Sequence, residues 1–402
     1  MKISMNTHYL KNYLKNSRKG YLLYYYVANF LLTVLQYFVR KDHQLILFVS
    51  FGGKKYDDSP LAIYKWMLSD SRFDSYKFVW AFENPDSIII PKGDKVKIDS
   101  IEYFITMLKA TVWITNSSVT RGLRFKSRKT FYLNTWHGSP IKHMGSDINS
   151  HKEDMTMYKK KSVYDIFLSQ SKFEGDIFMK KFNIPEESMK IIGYPRNDEL
   201  VCADETRREE ICSKLEIDNS KKIILYAPTF REYWRDEEKN CLFKAPIDLQ
   251  KWSDVLGKDY ILLFRAHYEV VKAMNIPNNG IVKDVSAYPN LNELMIISDI
   301  LISDYSSIIF DYSILCRPIL CFAYDYNEYE EKRGMYFDIR NELCSVELDN
   351  EDALLKEILN MDFDMRGKVA KKFKQKYVEQ CGNATQQAVD IIYDALKNLY
   401  KA

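Results

Sequence analysis

Residues 300–312, ILISDYSSIIFDY, decide how this chain folds. Residues 300–303 have the length and composition of a buried strand, Asp304 and Tyr305 form a short polar loop, and Ser306 and Ser307 open a second apolar segment that reads as a helix. A strand that passes through a tight polar loop straight into a helix is the repeating half of a parallel α/β sheet, whose ligands collect at the carboxyl ends of the strands.

Working outward, the same alternation recurs. Apolar runs at 223–227, 260–264, 280–282 and 318–322 complete one series of strands, and runs at 44–51, 76–82, 111–116, 130–134, 166–169 and 190–192 make an earlier one. Helix-like stretches such as 61–69 and 101–109 lie between them. Two such series in 402 residues imply two Rossmann-like lobes and a cleft. The turn Gly193-Tyr194-Pro195-Arg196, the charged helix 203–215 and the polar stretch 216–220 mark the passage between them. A final helix over 383–400, with Ala384, Ala388, Ile391, Ala395 and Leu399 at helical spacing, is expected to pack back on the first lobe. The expected domains are 1–42 (an apolar helix that associates with a membrane), 43–205 (first lobe), 206–382 (second lobe) and 383–402 (closing helix).

The composition, 46% hydrophobic and 28% charged, is that of a folded protein, and the formal net charge of +3 gives no chain-wide basic field for nucleic acid. The seven cysteines are scattered and form no CxxC pair, so neither a disulfide framework nor a zinc site is indicated. Residues 21–39 contain no charge and are flanked by Lys15, Arg18 and Lys19 before and Arg40 and Lys41 after. Asn29, Thr33 and Gln36 line up on one face of that segment. The pattern favours a helix lying in a membrane interface, while a helix packed on the protein and a true span remain open.

Four strand-end loops carry groups able to do chemistry. Asn134-Thr135-Trp136-His137-Gly138-Ser139-Pro140 places an imidazole at the tip of a strand, where it can act as a general base, and Gly138 lets a substrate approach the backbone; a structural histidine in a turn is the plainer alternative. Arg231, after the strand 223–227, can grip phosphate oxygens through its planar fork, with a surface ion pair as the plainer alternative, and His267, after the strand 260–264, can donate to the same phosphates or to the leaving group. Ser306 and Ser307 offer hydroxyls and helix-start N–H groups to a pyrophosphate, with a plain capping serine as the lesser alternative. Asp311 lies farther along that helix, where it reads as a buried polar partner. No GxxxxGK[ST] and no GxGxxG after a strand is present, which counts against nucleotide hydrolases and dehydrogenases. Asp304 and Asp311 alone are too few for a metal cluster, so no metal and no cofactor is expected.

The stretches TWHGSPIK (135–142), GYPRND (193–198), YAPTFR (226–231), FRAH (264–267) and SDYSSIIFDY (303–312), in this order and spacing, resemble the CDP-glycerol glycerophosphotransferase family of teichoic acid and capsule synthesis. The resemblance covers about residues 48–338 and implies a GT-B-like fold, two Rossmann-like lobes facing a cleft. It implies transfer of glycerol phosphate from CDP-glycerol to a lipid-linked saccharide or growing polymer at the inner face of the membrane, with release of CMP. It also implies that His137 takes the acceptor proton, that Arg231 and His267 hold the donor phosphates, that Ser306 and Ser307 contact the pyrophosphate, and that Asp311 lies near the glycerol or ribose. Ser139 stands where members often carry threonine. Gly53, with Gly52 and Lys54 in the loop after the first strand, and the pair Gly138 and Ser139 are the expected acceptor loops. Only about forty residues precede the first strand, which suggests a primase-like or compact capsule enzyme. CDP-ribitol as donor, a nucleotide-sugar glycosyltransferase and a non-catalytic scaffold are the alternatives.

Overall fold

The structure, a computed structural model, describes residues 17–148, 163–229, 231, 246–266 and 280–401. Twelve strands among the described residues form two sheets. The first contains β1 (Asp42–Val49), β2 (Lys77–Phe82), β3 (Asp94–Lys97), β4 (Ala110–Thr115), β5 (Phe131–Asn134), β6 (Ile166–Ser169) and β7 (Met189–Ile191), in the order β3-β2-β1-β4-β5-β6-β7. β1 to β6 pair in parallel, with Phe48 opposite Trp80 and Ile46 opposite Val112. The second sheet contains β8 (Lys222–Tyr226), β9 (Tyr260–Phe264), β10 (Val282–Asp284), β11 (Ile300–Ser303) and β12 (Ile319–Cys321), in the order β10-β9-β8-β11-β12, all parallel.

The α/β reading with parallel sheets therefore holds, and the reason is visible in β1. Five consecutive residues, Leu45 to Val49, are buried because helices cover both faces of the sheet, so the strand is continuously apolar where an antiparallel strand would alternate. Phe48, Trp80 and Phe82 stack in sequence, at centroid separations of 5.1 and 5.7 Å. Two expectations need correction. β3, whose sequence DKVK buries only Val96, went unread because an edge strand needs a single apolar anchor. The strand expected at 280–282 lies two residues later, at Val282–Asp284.

The chain divides into two units. The first comprises Met1–His137, Val163–Phe167 and Thr385–Ala402, and the second Gly138–Ser162 and Leu168–Ala384. In the first, the carboxy-terminal helix Ala384–Lys401 is fixed by Arg72, which pairs with Asp390 at 2.8 Å and lies 5.0 Å from the ring of Tyr393.

The amino-terminal apolar segment forms the helix Arg18–Leu35, opened by the Ser17 hydroxyl, which accepts from the Gly20 N–H at 3.2 Å. Two residues of its polar stripe face the protein, where the Asn29 amide oxygen accepts from the Arg124 N–H and the Gln36 amide donates to the Phe125 carbonyl, while Thr33 is exposed. Its apolar residues divide: Leu32 is buried and Tyr24, Tyr25 and Ala28 pack on the core of the first unit, while Leu23, Tyr26 and Phe30 are 67%, 62% and 68% exposed, and Tyr37 and Phe38 beyond the helix are 85% and 80% exposed. Among the described residues no helix is long and apolar enough to cross a membrane, which removes the spanning alternative for this segment.

Candidate active site

In the first unit the candidate site grows from the carboxyl end of β5. Asn134 ends the strand, and its amide works in both directions: the nitrogen donates to the Ser117 carbonyl at 2.7 Å, and the oxygen accepts from the Trp136 N–H at 2.8 Å. These bonds hold Trp136 in a left-handed conformation (φ 53°), costly for a bulky side chain. The strained turn delivers His137, whose Nδ1 lies 2.5 Å from the Asn116 carbonyl oxygen. A carbonyl oxygen only accepts, so Nδ1 carries the proton, and in the neutral tautomer so fixed Nε2 is the basic nitrogen. The Trp136 ring at 4.2 Å and the Phe51 ring at 5.7 Å flank the imidazole.

Asn116 is the residue that sequence reasoning missed. Its backbone oxygen fixes the His137 tautomer, while its side-chain oxygen accepts from the Phe51 N–H at 2.8 Å and the neighbouring Ser117 hydroxyl accepts from the Gly52 N–H at 3.1 Å. The loop of Gly53 is thereby brought beside His137. Phe51, Gly52 and Gly53 all have positive φ (46°, 64° and 88°), and a Cβ on Gly53 would lie 3.1 Å from the Glu83 nitrogen, so glycine is required there. The only signal in the sequence was the run Asn116-Ser117-Ser118 directly after β4.

In the second unit, Gly138 and Ser139 continue the loop. A Cβ on Gly138 would stand 2.6 Å from the Ser307 hydroxyl oxygen, so the backbone of the loop lies against the serine pair that follows β11. Ser306 and Ser307 are the partly exposed residues in an otherwise buried stretch from Ile300 to Ser313. The helix they open, Ile308–Ser313, is six residues long, and the Ser306 hydroxyl accepts from the Ile308 N–H at 3.4 Å.

Ser139 is buried and donates its hydroxyl to the Glu174 carboxylate, while the Gln170 amide donates back to that hydroxyl at 2.6 Å. Glu174 is wholly buried and also accepts from the Gln170 N–H. Burial pushes its carboxyl up to about 7, against the opposing pull of the Ser139 and Gln170 hydrogen bonds. The loop is fastened on its far side as well: Lys142 pairs with Met335 in an antiparallel bridge, and the His143 N–H donates to the Gly334 carbonyl at 2.9 Å.

Two expected donor-side residues, Arg231 for the phosphates and Asp311 for the glycerol or ribose, are found inside ion pairs. Arg231 is fully buried; Nε and Nη2 bind Asp325 bidentately at 2.6 and 2.8 Å, and Nη1 meets Asp304 at 2.9 Å and the Thr229 carbonyl at 2.6 Å. The rings of Tyr305, Tyr324 and Tyr329 surround it at 4.9, 5.5 and 5.0 Å. Asp311 accepts from Arg196 at 3.1 Å and from the Asn197 amide at 2.6 Å, which ties the 193–198 motif to the 303–312 motif. His267 lies outside the described residues. The neighbouring Arg265 donates to the carbonyls of Val285 and Tyr288 at 3.0 and 2.7 Å. Among the described residues no group of three or more histidine, cysteine, aspartate or glutamate side chains could hold a metal.

Residues 31–394 match the family model of CDP-glycerol:poly(glycerophosphate) glycerophosphotransferases. The chain is 36% identical over 377 residues to a teichoic acid poly(glycerol phosphate) polymerase of Staphylococcus epidermidis, covering 88% of this chain and 51% of that protein. It thus spans about half the length of that relative. A teichoic acid glycerol-phosphate transferase of Staphylococcus aureus is 33% identical over 368 residues, 88% of this chain and 93% of that one. A variant of the wall teichoic acid polymerase TagF soaked with CDPG superposes with a TM-score of 0.82 at 32% identity, over 92% of this chain and 93% of that chain.

Proposed function

The chain belongs to the CDP-glycerol:poly(glycerophosphate) glycerophosphotransferase family, and from that premise we propose that it transfers glycerol phosphate from CDP-glycerol to a hydroxyl of a lipid-linked saccharide or growing polymer, releasing CMP. The acceptor oxygen attacks the phosphorus that bears glycerol, an O–P bond forms, the pyrophosphate P–O bond breaks, and its electron pair leaves on CMP. The acceptor proton passes to Nε2 of His137. The observation that carries this reading is the His137 Nδ1 contact with the Asn116 carbonyl, which leaves the basic nitrogen on the other side of the ring. Such a transfer asks the protein for alignment and charge neutralisation more than for covalent chemistry.

The other roles follow from the local geometry. Ser306 and Ser307 contact the donor phosphates, and His267 supplies a further donor to them. Arg231 acts through the loop it ties down, since its fork is shared between Asp304 and Asp325. Asp311 likewise acts through Arg196 and Asn197. Gly53, Gly138 and Ser139 shape the acceptor side. The exposed apolar stripe of the helix Arg18–Leu35 supports peripheral attachment to the cytoplasmic face of a membrane.

A donor panel tests the function. CMP should be released from CDP-glycerol in the presence of a lipid-linked disaccharide, much more slowly from CDP-ribitol, and no nucleotide should be released from nucleotide sugars. Turnover of a nucleotide sugar alone would overturn the proposal.

A further inference from the structure

The first unit also carries a cationic groove apart from the His137 loop. At the amino-terminal edge of its sheet, the loop 121–129, RGLRFKSRK, runs beside the end of the helix Arg18–Leu35. Between them lies a groove of about 700 Å³ that contains Arg40, Lys41, Arg124, Lys126, Arg128 and Lys129 in its walls and no acidic residue. Of these cations Lys126 is paired, with Asp165 at 2.9 Å, and Asp42 at the start of β1 pairs with Lys77 at 2.9 Å.

The floor of the groove is built. The Lys41 ammonium is fixed by the Ala110 carbonyl at 2.8 Å and by the Thr130 hydroxyl, at the starts of β4 and β5. Burial, with the charge of Lys126, pushes this amine down to about 7. Holding like charges together in this way is costly, and an anion in the groove would offset it. The site is distinct from that of His137: Thr130 precedes β5 and His137 follows it, and at strand rise this is a separation of roughly 13 Å or more.

What borders the groove identifies its occupant. Tyr37 lines it, Phe38 is 80% exposed, and the outward stripe with Phe30 continues from them along the helix. Cations set beside exposed aromatic and aliphatic side chains are complementary to the headgroup and upper acyl region of a negatively charged bilayer. A nucleic acid would match the cations and leave the apolar stripe uncovered.

We propose that this groove is a headgroup site that seats the phosphodiester of an anionic phospholipid while the exposed face of the helix Arg18–Leu35 enters the acyl boundary. The inference rests on the peripheral attachment proposed above and adds to it a lipid preference and a defined site.

The test is vesicle co-sedimentation of the full chain, using phosphatidylcholine alone or mixed with phosphatidylglycerol, at low and high salt. Wild type should prefer the phosphatidylglycerol vesicles and lose that preference in high salt. The double variant R40Q/R128Q should lose about 30-fold in partition to them, two cations at about 1 kcal/mol each, and keep its weaker binding to phosphatidylcholine. The variant F30S/F38S should bind both vesicles poorly. Equal binding of wild type to the two vesicles, or unchanged preference in R40Q/R128Q, would overturn the headgroup site and leave attachment standing. Failure of wild type to bind either vesicle would overturn attachment itself. Tight binding of an RNA oligonucleotide by wild type and not by R40Q/R128Q, without lipid preference, would reassign the groove.

Discussion

Replacing Arg231 by methionine separates two views of the phosphate side of the site. The substitution keeps an apolar stem among Tyr305, Tyr324 and Tyr329 and removes the fork. Asp304 and Asp325, whose side chains are 3% and 6% exposed, then lose their cation while remaining buried. Breaking a buried pair from one side costs about 3–5 kcal/mol, because the charge left behind has neither water nor a countercharge. For a unit of this size each kcal/mol lowers Tm by roughly 2–4 °C, so the expected fall is roughly 6–20 °C. Neutralising both carboxylates in the same background, R231M/D304N/D325N, should recover a large part of that loss. Calorimetry gives Tm, and titration with CDP-glycerol at a temperature where the variants are folded gives donor affinity. An unchanged Tm in R231M together with a tenfold or greater loss of donor affinity would refute the architectural role and make Arg231 a direct phosphate ligand.

Glu174 sets a second expectation, through pH. Its carboxyl is raised from an ordinary 4.5 to about 7, so the native state binds more protons than the unfolded chain between these values. The contribution to stability is therefore most favourable below pH 4.5, declines as pH rises towards 7 and levels off above it, a difference on the order of 3 kcal/mol. E174Q should flatten that part of the stability profile in chemical denaturation, and an unaltered slope would reject the assignment. In G138A the new methyl would fall 2.6 Å from the Ser307 oxygen, and overpacking of about 1–3 kcal/mol should slow transfer roughly tenfold with circular dichroism unchanged; full activity would show that the loop stands clear of the serine pair. H137A should lower kcat by at least ~10²-fold with Tm retained, as expected for a lost general base, and wild-type turnover would exclude that role.

The fold was legible wherever burial on both faces left a continuous apolar run, as in Leu45 to Val49 or Ile300 to Ser303. It was not legible at β3, where one valine among charged residues carries no period. The histidine loop and the serine pair announced themselves because strand, glycine and hydroxyls stand together in the chain. Pairing did not. Asp311 and Arg196 are 115 residues apart and Arg231 and Asp325 are 94 apart, and neither separation leaves a local pattern. Glu174 sits in the helix Lys172–Phe182, whose charged sequence KFEGDIFMKKF reads as a surface, yet its carboxylate is wholly buried against Ser139 and Gln170. The amino-terminal helix shows the same limit in reverse: its polar stripe was visible as a stripe, but only the backbone partners at Arg124 and Phe125 explain why Asn29 and Gln36 turn inward while Thr33, Leu23, Tyr26 and Phe30 stay exposed.

The central claim is that a P–O bond of the donor breaks and the glycerol-bearing phosphorus moves to the acceptor. It is tested most directly with CDP-glycerol carrying ³²P in the phosphate next to glycerol, incubated with the protein and a lipid-linked acceptor. The account predicts that the label appears in the lipid product and that the released nucleotide is unlabelled CMP. Labelled CDP as the released nucleotide, with an unlabelled product, would mean that a C–O bond had broken as in a sugar transferase, and would contradict it.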